Sequence, residues 1–166
     1  MDLNLFLRLR VGSGFDIHPL SLNPARKFML GGIQVDSSNG PEGHSDADVV
    51  CHALADSILG SIGMGGLGDH FKDNDERWKN IDSVFLLKKC YEMFLDRGYL
   101  LVNADVTVIL QRPRIAEFLG LMSQNMTTVL QAPVSVKAKS AEKVGSLGAG
   151  DAVVCIASTL AYKATD

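Results

Sequence analysis

The stretch LLVNADVTVILQ, residues 100–111, repeats apolar side chains with a period of two. Val102, Ala104, Val106, Val108 and Leu110 fall on one face, the pattern of a strand with one buried side. Helical signals flank it. Upstream, Asp82 or Ser83 is the candidate cap of a helix over 84–97 with an apolar stripe of Phe85, Leu86, Cys90, Met93 and Phe94, and Gly98 stops it. Downstream, Pro113 opens a second helical segment over 114–130. Helix, strand and helix in succession point to layered α and β structure.

Outward from this unit, residues 3–11 alternate through Leu5, Leu7, Leu9 and Val11, which predicts a first strand rather than a signal peptide. KFMLGGIQV, residues 27–35, reads as a second strand interrupted at Gly31-Gly32 by a bulge or a close approach. A loop between the two carries Asp16 and His18. Residues 47–62 place Val50, Ala53, Leu54, Ser57, Ile58 and Ser61 on one helical stripe, with Ser45 or Asp46 as cap and a glycine-rich exit over 60–68. A polar loop fills 69–80, and 135–139 and 152–162 read as the remaining strands. The expected fold is α/β (α+β), a two-layer sandwich of a mostly four-stranded mixed sheet with helices on one face, in a single domain over 1–166. The other sheet face needs a cover, and copies of the chain would supply it.

Bulk properties narrow the function. The 166 residues carry a formal net charge of −3 with no block of basic residues, which excludes nucleic acid as the main partner. Cys51, Cys90 and Cys155 are far apart in apolar runs, so reduced thiols and a cytosol-like compartment are expected. No apolar run approaches the ~18 residues of a membrane-spanning helix.

GHSDADVVCHALADS, residues 43–57, concentrates the chemistry. Asp16 and His18, two apart in an extended segment, point the same way. With His52 on the helix they form a three-ligand set that suits zinc better than magnesium and leaves a fourth position open. The alternative is that Asp16 shapes its loop and His52 packs with its nitrogens satisfied. His44 and Ser45 lie at the helix mouth, where free N–H groups favour an anion; alternatively Ser45 only caps and His44 is a surface residue. Asp46, Asp48 and Asp56 read as a solvated helix face, or Asp48, one turn before His52, orients the imidazole. GMGGLG, residues 63–68, matches a dinucleotide-binding pattern but follows a helix instead of a strand, so that reading is rejected. KAKSAEK, residues 137–143, is a phosphate and Mg²⁺ pocket or a charged edge strand. QRPR, residues 111–114, is a nucleotide-edge loop or a basic helix start.

Taken in order, RVGSGFDIH, LGGIQV, GHSDADVVCHALADSILG, DHFKDND, GYLLVNADVTVILQRPRI and KAKSAEK resemble the 2-C-methyl-D-erythritol 2,4-cyclodiphosphate synthase family, collinearly over nearly the whole chain. The resemblance implies a phosphorus–oxygen lyase of non-mevalonate isoprenoid biosynthesis. It would convert 4-diphosphocytidyl-2-C-methyl-D-erythritol 2-phosphate to the 2,4-cyclodiphosphate plus CMP by intramolecular phosphoryl transfer. It also implies that Asp16, His18 and His52 hold one zinc per subunit, and that Glu142 holds Mg²⁺ or Mn²⁺ at the substrate diphosphate. His44 and Ser140 would stabilise the transition state. Ser45, Gly68, Phe71, Asp73, Asp75, Leu110, Pro113, Arg114, Ile115 and Lys139 would contact substrate. The family's homotrimer, with sites shared between neighbours, would cover the open sheet face. Neither nucleic acid nor membrane is an expected partner, and the expected location is the bacterial cytoplasm or, after processing, the plastid stroma. Three departures stand out. Ser140 replaces the family's frequent Thr but keeps a hydroxyl. Gly66 stands where many members carry a substrate-contacting Asp, for which Asp69 is a candidate substitute. Ala149 and Ser146 replace an Arg and an aromatic residue, which implies weak binding of isoprenoid diphosphates. The competing functions are a zinc phosphohydrolase using the same triad with water, and a trimeric binding module with structural zinc.

Overall fold

The computed structural model describes residues 3–35, 38–72, 75–78 and 80–164. Its frame is a four-stranded sheet in the order β1-β6-β4-β5, formed by β1 (Leu9–Pro19), β4 (Tyr99–Ile109), β5 (Val134–Lys139) and β6 (Ala152–Lys163). The sheet is mixed: β4 and β5 run parallel, whereas β6 is antiparallel to both β1 and β4. The crossover between the parallel strands passes through α5 (Leu119–Leu130). Three helices, α2 (Val49–Ser61), α4 (Ser83–Asp96) and α5, pack with the sheet around one core that includes Leu54, Ile58, Phe94, Met122, Val106 and Cys155. A hairpin of β2 (Phe28–Leu30) and β3 (Ile33–Val35) contributes Phe28, Leu30 and Val35 to that core. Two further short helices are α3 (Leu67–His70) and α6 (Gly145–Ala149). The two-layer expectation therefore holds, and one sheet face stays open, with Val11, Phe15, Ile17 and Ile156 exposed on it.

Helix α2 lies directly on β1. A side chain at Gly12 would meet Ser57 O at 1.8 Å, and one at Gly14 would meet Ala53 O at 1.9 Å. Only glycine permits that separation. The approach is closed by a hydrogen bond from the Thr159 hydroxyl of β6 to Ser57 O at 3.1 Å.

Several boundaries differ from the sequence expectation. Residues 3–11 are not one strand: α1 (Leu3–Arg8) precedes β1. The ladder with β6 ends at Leu9↔Tyr162, so the strand does not extend to the residues before Leu9, which form α1 instead. Asp16 and His18 lie within β1 rather than in a loop, because β6 pairs with that strand as far as Pro19↔Ala152. In β4, a bulge between Leu101 and Asn103 resets the alternation. It buries Leu101 and leaves Val102 40% exposed. The 114–130 segment is helical only from Leu119, after a 3₁₀ turn at Ala116–Phe118, so Pro113 sits in a loop.

Asp48, not Ser45 or Asp46, caps α2. Ala47 has φ +58°, which ends any earlier helical turn. The Asp48 carboxylate accepts the N–H groups of Val50 and Cys51 at 3.0 and 3.2 Å. It also accepts those of Gly31 and Gly32 at 2.8 and 2.7 Å, in the β2–β3 turn, where both glycines have positive φ. Gly31-Gly32 is therefore a hairpin turn pinned to the start of α2, not a bulge. Asp48 is fully buried and does not orient the His52 imidazole; burial pushes its carboxyl pKa up against the opposing pull of these backbone donors. Asp48→Ala removes the cap and strands the buried Gly31 donor and the half-buried Gly32 donor, so a loss of about 2–4 kcal/mol is expected. Urea denaturation checks this, with an unchanged m-value; a loss below about 0.5 kcal/mol would contradict the pinning.

Candidate metal centre and phosphate pocket

Strand β1 and helix α2 bring three side chains together. Asp16 and His18 leave β1 on its helix-facing side, and His52 leaves the first turns of α2, which the two glycines hold against that strand. Asp16 Oδ2 is 2.9 Å from His52 Nδ1 and 3.2 Å from His18 Nε2. The two imidazole rings are 5.6 Å apart and tilted by 59°, so they face a shared point rather than stack. All three donor atoms lie within 4.8 Å of one another. Bonds of about 2.0–2.2 Å in a tetrahedral site require donor separations of roughly 3.3–3.5 Å. The set therefore fits a small divalent ion with little rearrangement, and two nitrogens with one carboxylate favour a first-row transition metal over magnesium.

The three ligands line a cavity of ≈ 310 Å³ together with Gly43, His44, Asp56, Gly68, Phe71 and Trp78. Phe71 and Trp78 form an edge-to-face pair at 5.1 Å on its wall. The 41–45 loop is clamped by Arg26, whose guanidinium donates to the carbonyls of Pro41, Gly43 and Ser45 at 2.7, 3.2 and 2.7 Å. Gly43 lets this loop pass the His18 ring, where a Cβ would come within 2.9 Å of Cε1. His44 opens onto the cavity. Ser45 is buried, and its hydroxyl lies 3.2 Å from His52 Nε2 and accepts Ala47 N–H at 3.1 Å. The first-turn donors of α2 are already taken by Asp48, so Val50 and Cys51 N–H are not available to an anion.

Of the three aspartates read as a solvated face, none is fully exposed. Asp56 lines the cavity and accepts Leu67 N–H at 2.6 Å; burial pushes its pKa up. A Cβ at Gly66 would sit 3.0 Å from Asp56 Oδ1, so the glycine leaves that carboxylate uncovered. Asp69 is instead tied to Gly66 N–H at 2.9 Å. Asp46 accepts from Ser83 through both its hydroxyl and its N–H, and Ser83 Oγ lies 2.9 Å from His52 Nε2. The possible capping role of Ser83 was the only sequence signal for it, and Asp82 takes that role by accepting Val84 N–H at 2.7 Å. Asp75 pairs with Arg77 at 2.6 Å, which brings its pKa down to about 2. Asp73 lies outside the described residues.

A second cavity of ≈ 770 Å³ opens near the end of β5 and is lined by Leu110, Pro113, Arg114, Ile115, Lys139, Ser140 and Lys143, among others. The Ser140 hydroxyl donates to the Glu142 carboxylate, and Glu142 and Lys143 both have positive φ, which folds the chain sharply after β5. The Asp16 row of the sheet runs through Cys155 and Val108 to Ala138. The two cavities thus lie at the same end of the sheet on opposite edges, three strand spacings or roughly 14 Å apart. The sequence-derived residues form two groups within one chain rather than a single site.

Burial works to raise the Asp16 pKa, but hydrogen bonds to His18 and His52 and the charges on both rings hold it below the usual carboxylate range. Burial lowers the His18 pKa, but Asp16 and the Glu42 backbone outweigh it and leave the net shift upward. In the metal-free chain the depressed Asp16 contributes stability above its ordinary 3.8, lost as pH falls further. The raised His18 contributes below its ordinary 6.5, lost as pH climbs through its elevated value. Thermal melts of the metal-free chain should show this contribution between those limits, and His18→Gln should remove it. An unchanged pH profile in His18→Gln would contradict the pairing.

A family model described as the YgbB family matches residues 9–162. The 2-C-methyl-D-erythritol 2,4-cyclodiphosphate synthase of Leptospira borgpetersenii is 41% identical over 157 residues, covering 93% of this chain and 98% of its own. That of Brachyspira hyodysenteriae is 41% identical over 153 residues, covering 89% and 96%. Among solved structures, Plasmodium falciparum IspF in complex with CDP superposes with a TM-score of 0.81 at 31% identity, over 95% of this chain and 98% of that one. The bifunctional IspDF of Campylobacter jejuni gives 0.89 at 34% identity over 93% of this chain, which spans 42% of that longer protein.

Proposed function

This chain belongs to the YgbB family, and from its two cavities we infer that it catalyses the cyclodiphosphate synthase reaction. It converts 4-diphosphocytidyl-2-C-methyl-D-erythritol 2-phosphate to 2-C-methyl-D-erythritol 2,4-cyclodiphosphate with release of CMP, a lyase step of isoprenoid biosynthesis. The observation that carries the reading is the convergence of Asp16, His18 and His52 in a cavity walled by Phe71 and Trp78.

The 2-phosphate attacks the β-phosphorus of the same molecule and expels CMP. The nucleophile is already an anion and needs no general base. The chain's task is placement and charge neutralisation. Bending the substrate into a ring-closing pose supplies several of the roughly 7–11 kcal/mol available from intramolecular placement. Zinc held by Asp16, His18 and His52 would supply Lewis-acid charge to the diphosphate oxygens. We assign His44 and Ser140 to the developing charge, and Glu142 to a Mg²⁺ or Mn²⁺ ion on the diphosphate. Ser45, Gly68, Phe71, Asp73 and Asp75 are assigned to the erythritol side. Leu110, Pro113, Arg114, Ile115 and Lys139 are assigned to the cytidine side.

One substrate must reach both groups, so we propose a homotrimer in which the β5 end of one copy completes the metal cavity of its neighbour. The exposed apolar side chains on the open face of β1 and β6 support that assembly. We take the whole chain as one catalytic domain acting in the bacterial cytoplasm or the plastid stroma. Among the described residues no helix is long and apolar enough to cross a membrane.

Incubation with the named substrate should release CMP and a cyclic diphosphate in equal amounts, read by mass spectrometry. Inorganic phosphate as the product would favour the phosphohydrolase instead. His52→Ala should lose bound metal and most turnover. Ser140→Ala should lower kcat more than it raises KM, the pattern of a contact made mainly in the transition state; the reverse split would remove Ser140 from that role.

A further inference from the structure

Two serines outside the ligand set, Ser83 and Ser45, meet the far side of His52. Ser83, fully buried at the start of α4, places its hydroxyl 2.9 Å from His52 Nε2. Behind it, the Asp46 carboxylate takes both the Ser83 hydroxyl and, at 3.3 Å, the Ser83 N–H. We propose that Ser83 and Asp46 are a positioning pair that fixes the tautomer of His52 and so presents Nδ1, rather than Nε2, to the ion.

Proton counting carries the proposal. A carboxylate only accepts, and a serine hydroxyl has one proton. That proton goes to Asp46, so Ser83 Oγ can only accept from the ring. The Ser45 hydroxyl, 3.2 Å from Ser83 Oγ, has its own proton free to point there, which leaves the ring as the donor toward both serines. His52 therefore carries a hydrogen on Nε2, which leaves Nδ1, the atom 2.9 Å from Asp16 Oδ2, as the nitrogen that would give its lone pair to the ion. The pair also ties three elements together: the loop before α2, α2 itself and the first turn of α4. Hydrogen bonding of the non-ligating N–H raises ligand basicity and prevents the ring from turning over.

The inference rests on the metal centre assigned above, and its test separates the two. Zinc affinity of the full chain is measured by competition with a chromophoric chelator, beside the melting temperature of the metal-free form. The tautomer of His52 in the zinc-loaded chain is read by ¹⁵N NMR. Ser83→Ala and Asp46→Asn should each weaken zinc binding about 10–100-fold. Wild type should show the hydrogen on Nε2, and Ser83→Ala a weakened preference for it. A loss of affinity only in proportion to a lower metal-free melting temperature, with the tautomer unchanged, would overturn the positioning role. So would affinities within twofold of wild type. A wild-type chain that takes up no zinc would overturn the metal centre and this inference with it.

Discussion

Everything in the site depends on how closely α2 approaches β1. The backbone carbonyls of Ala53 and Ser57 occupy the space that side chains at Gly14 and Gly12 would fill. This sinks the helix onto the strand by about the radius of a side chain, and it is why His52 meets Asp16 at hydrogen-bond distance. With larger residues at 12 or 14 the helix would ride higher, and the three donor atoms would spread beyond the reach of one small ion. The other end of the register is set by Asp48, which locks the start of α2 to the β2–β3 turn. Catalytic geometry is thus a by-product of packing between two elements that both belong to the core.

Among the described residues Asp16, Asp46, Asp48 and Asp56 share this neighbourhood, and their partners separate their roles. Asp48 is spent entirely on backbone donors and is structural. Asp46 faces Ser83 and acts on the metal centre only through it. Asp16 faces two imidazoles and is held charged. Asp56 opens onto the cavity with one oxygen tied to α3, and Gly66 leaves it uncovered. Residue type alone cannot distinguish them. The distinction lies in which donors the fold delivers to each.

The layered fold was legible because its strongest signals are local. The alternation of β4 from Ala104 onward and the glycine and aspartate punctuation of α4 hold in the structure. For the candidate triad, Asp-x-His spacing and one helical histidine left two readings open, and the resemblance over the whole chain chose between them. The misreadings share one cause. The alternation at 3–11 predicts a strand, yet the ladder needs a partner that β6 does not extend to supply. Asp46, Asp48 and Asp56 look like a solvated face because their partners, Ser83, the glycine pair and Leu67, come from other segments. The division of the candidate substrate residues between two sheet edges is likewise a property of strand order, which the sequence does not spell out.

In the proposed assembly the cavity at the β1 edge and the pocket at the β5 edge each belong to a site shared between copies, whereas the proposed ion would be held by one chain alone. Anomalous diffraction at the zinc absorption edge, from crystals grown with zinc, tests the ion's position most directly. The account predicts a peak about 2.0–2.2 Å from a carboxylate oxygen of Asp16, Nε2 of His18 and Nδ1 of His52. A peak bound elsewhere, or one that leaves any of these three residues outside its coordination, would contradict it.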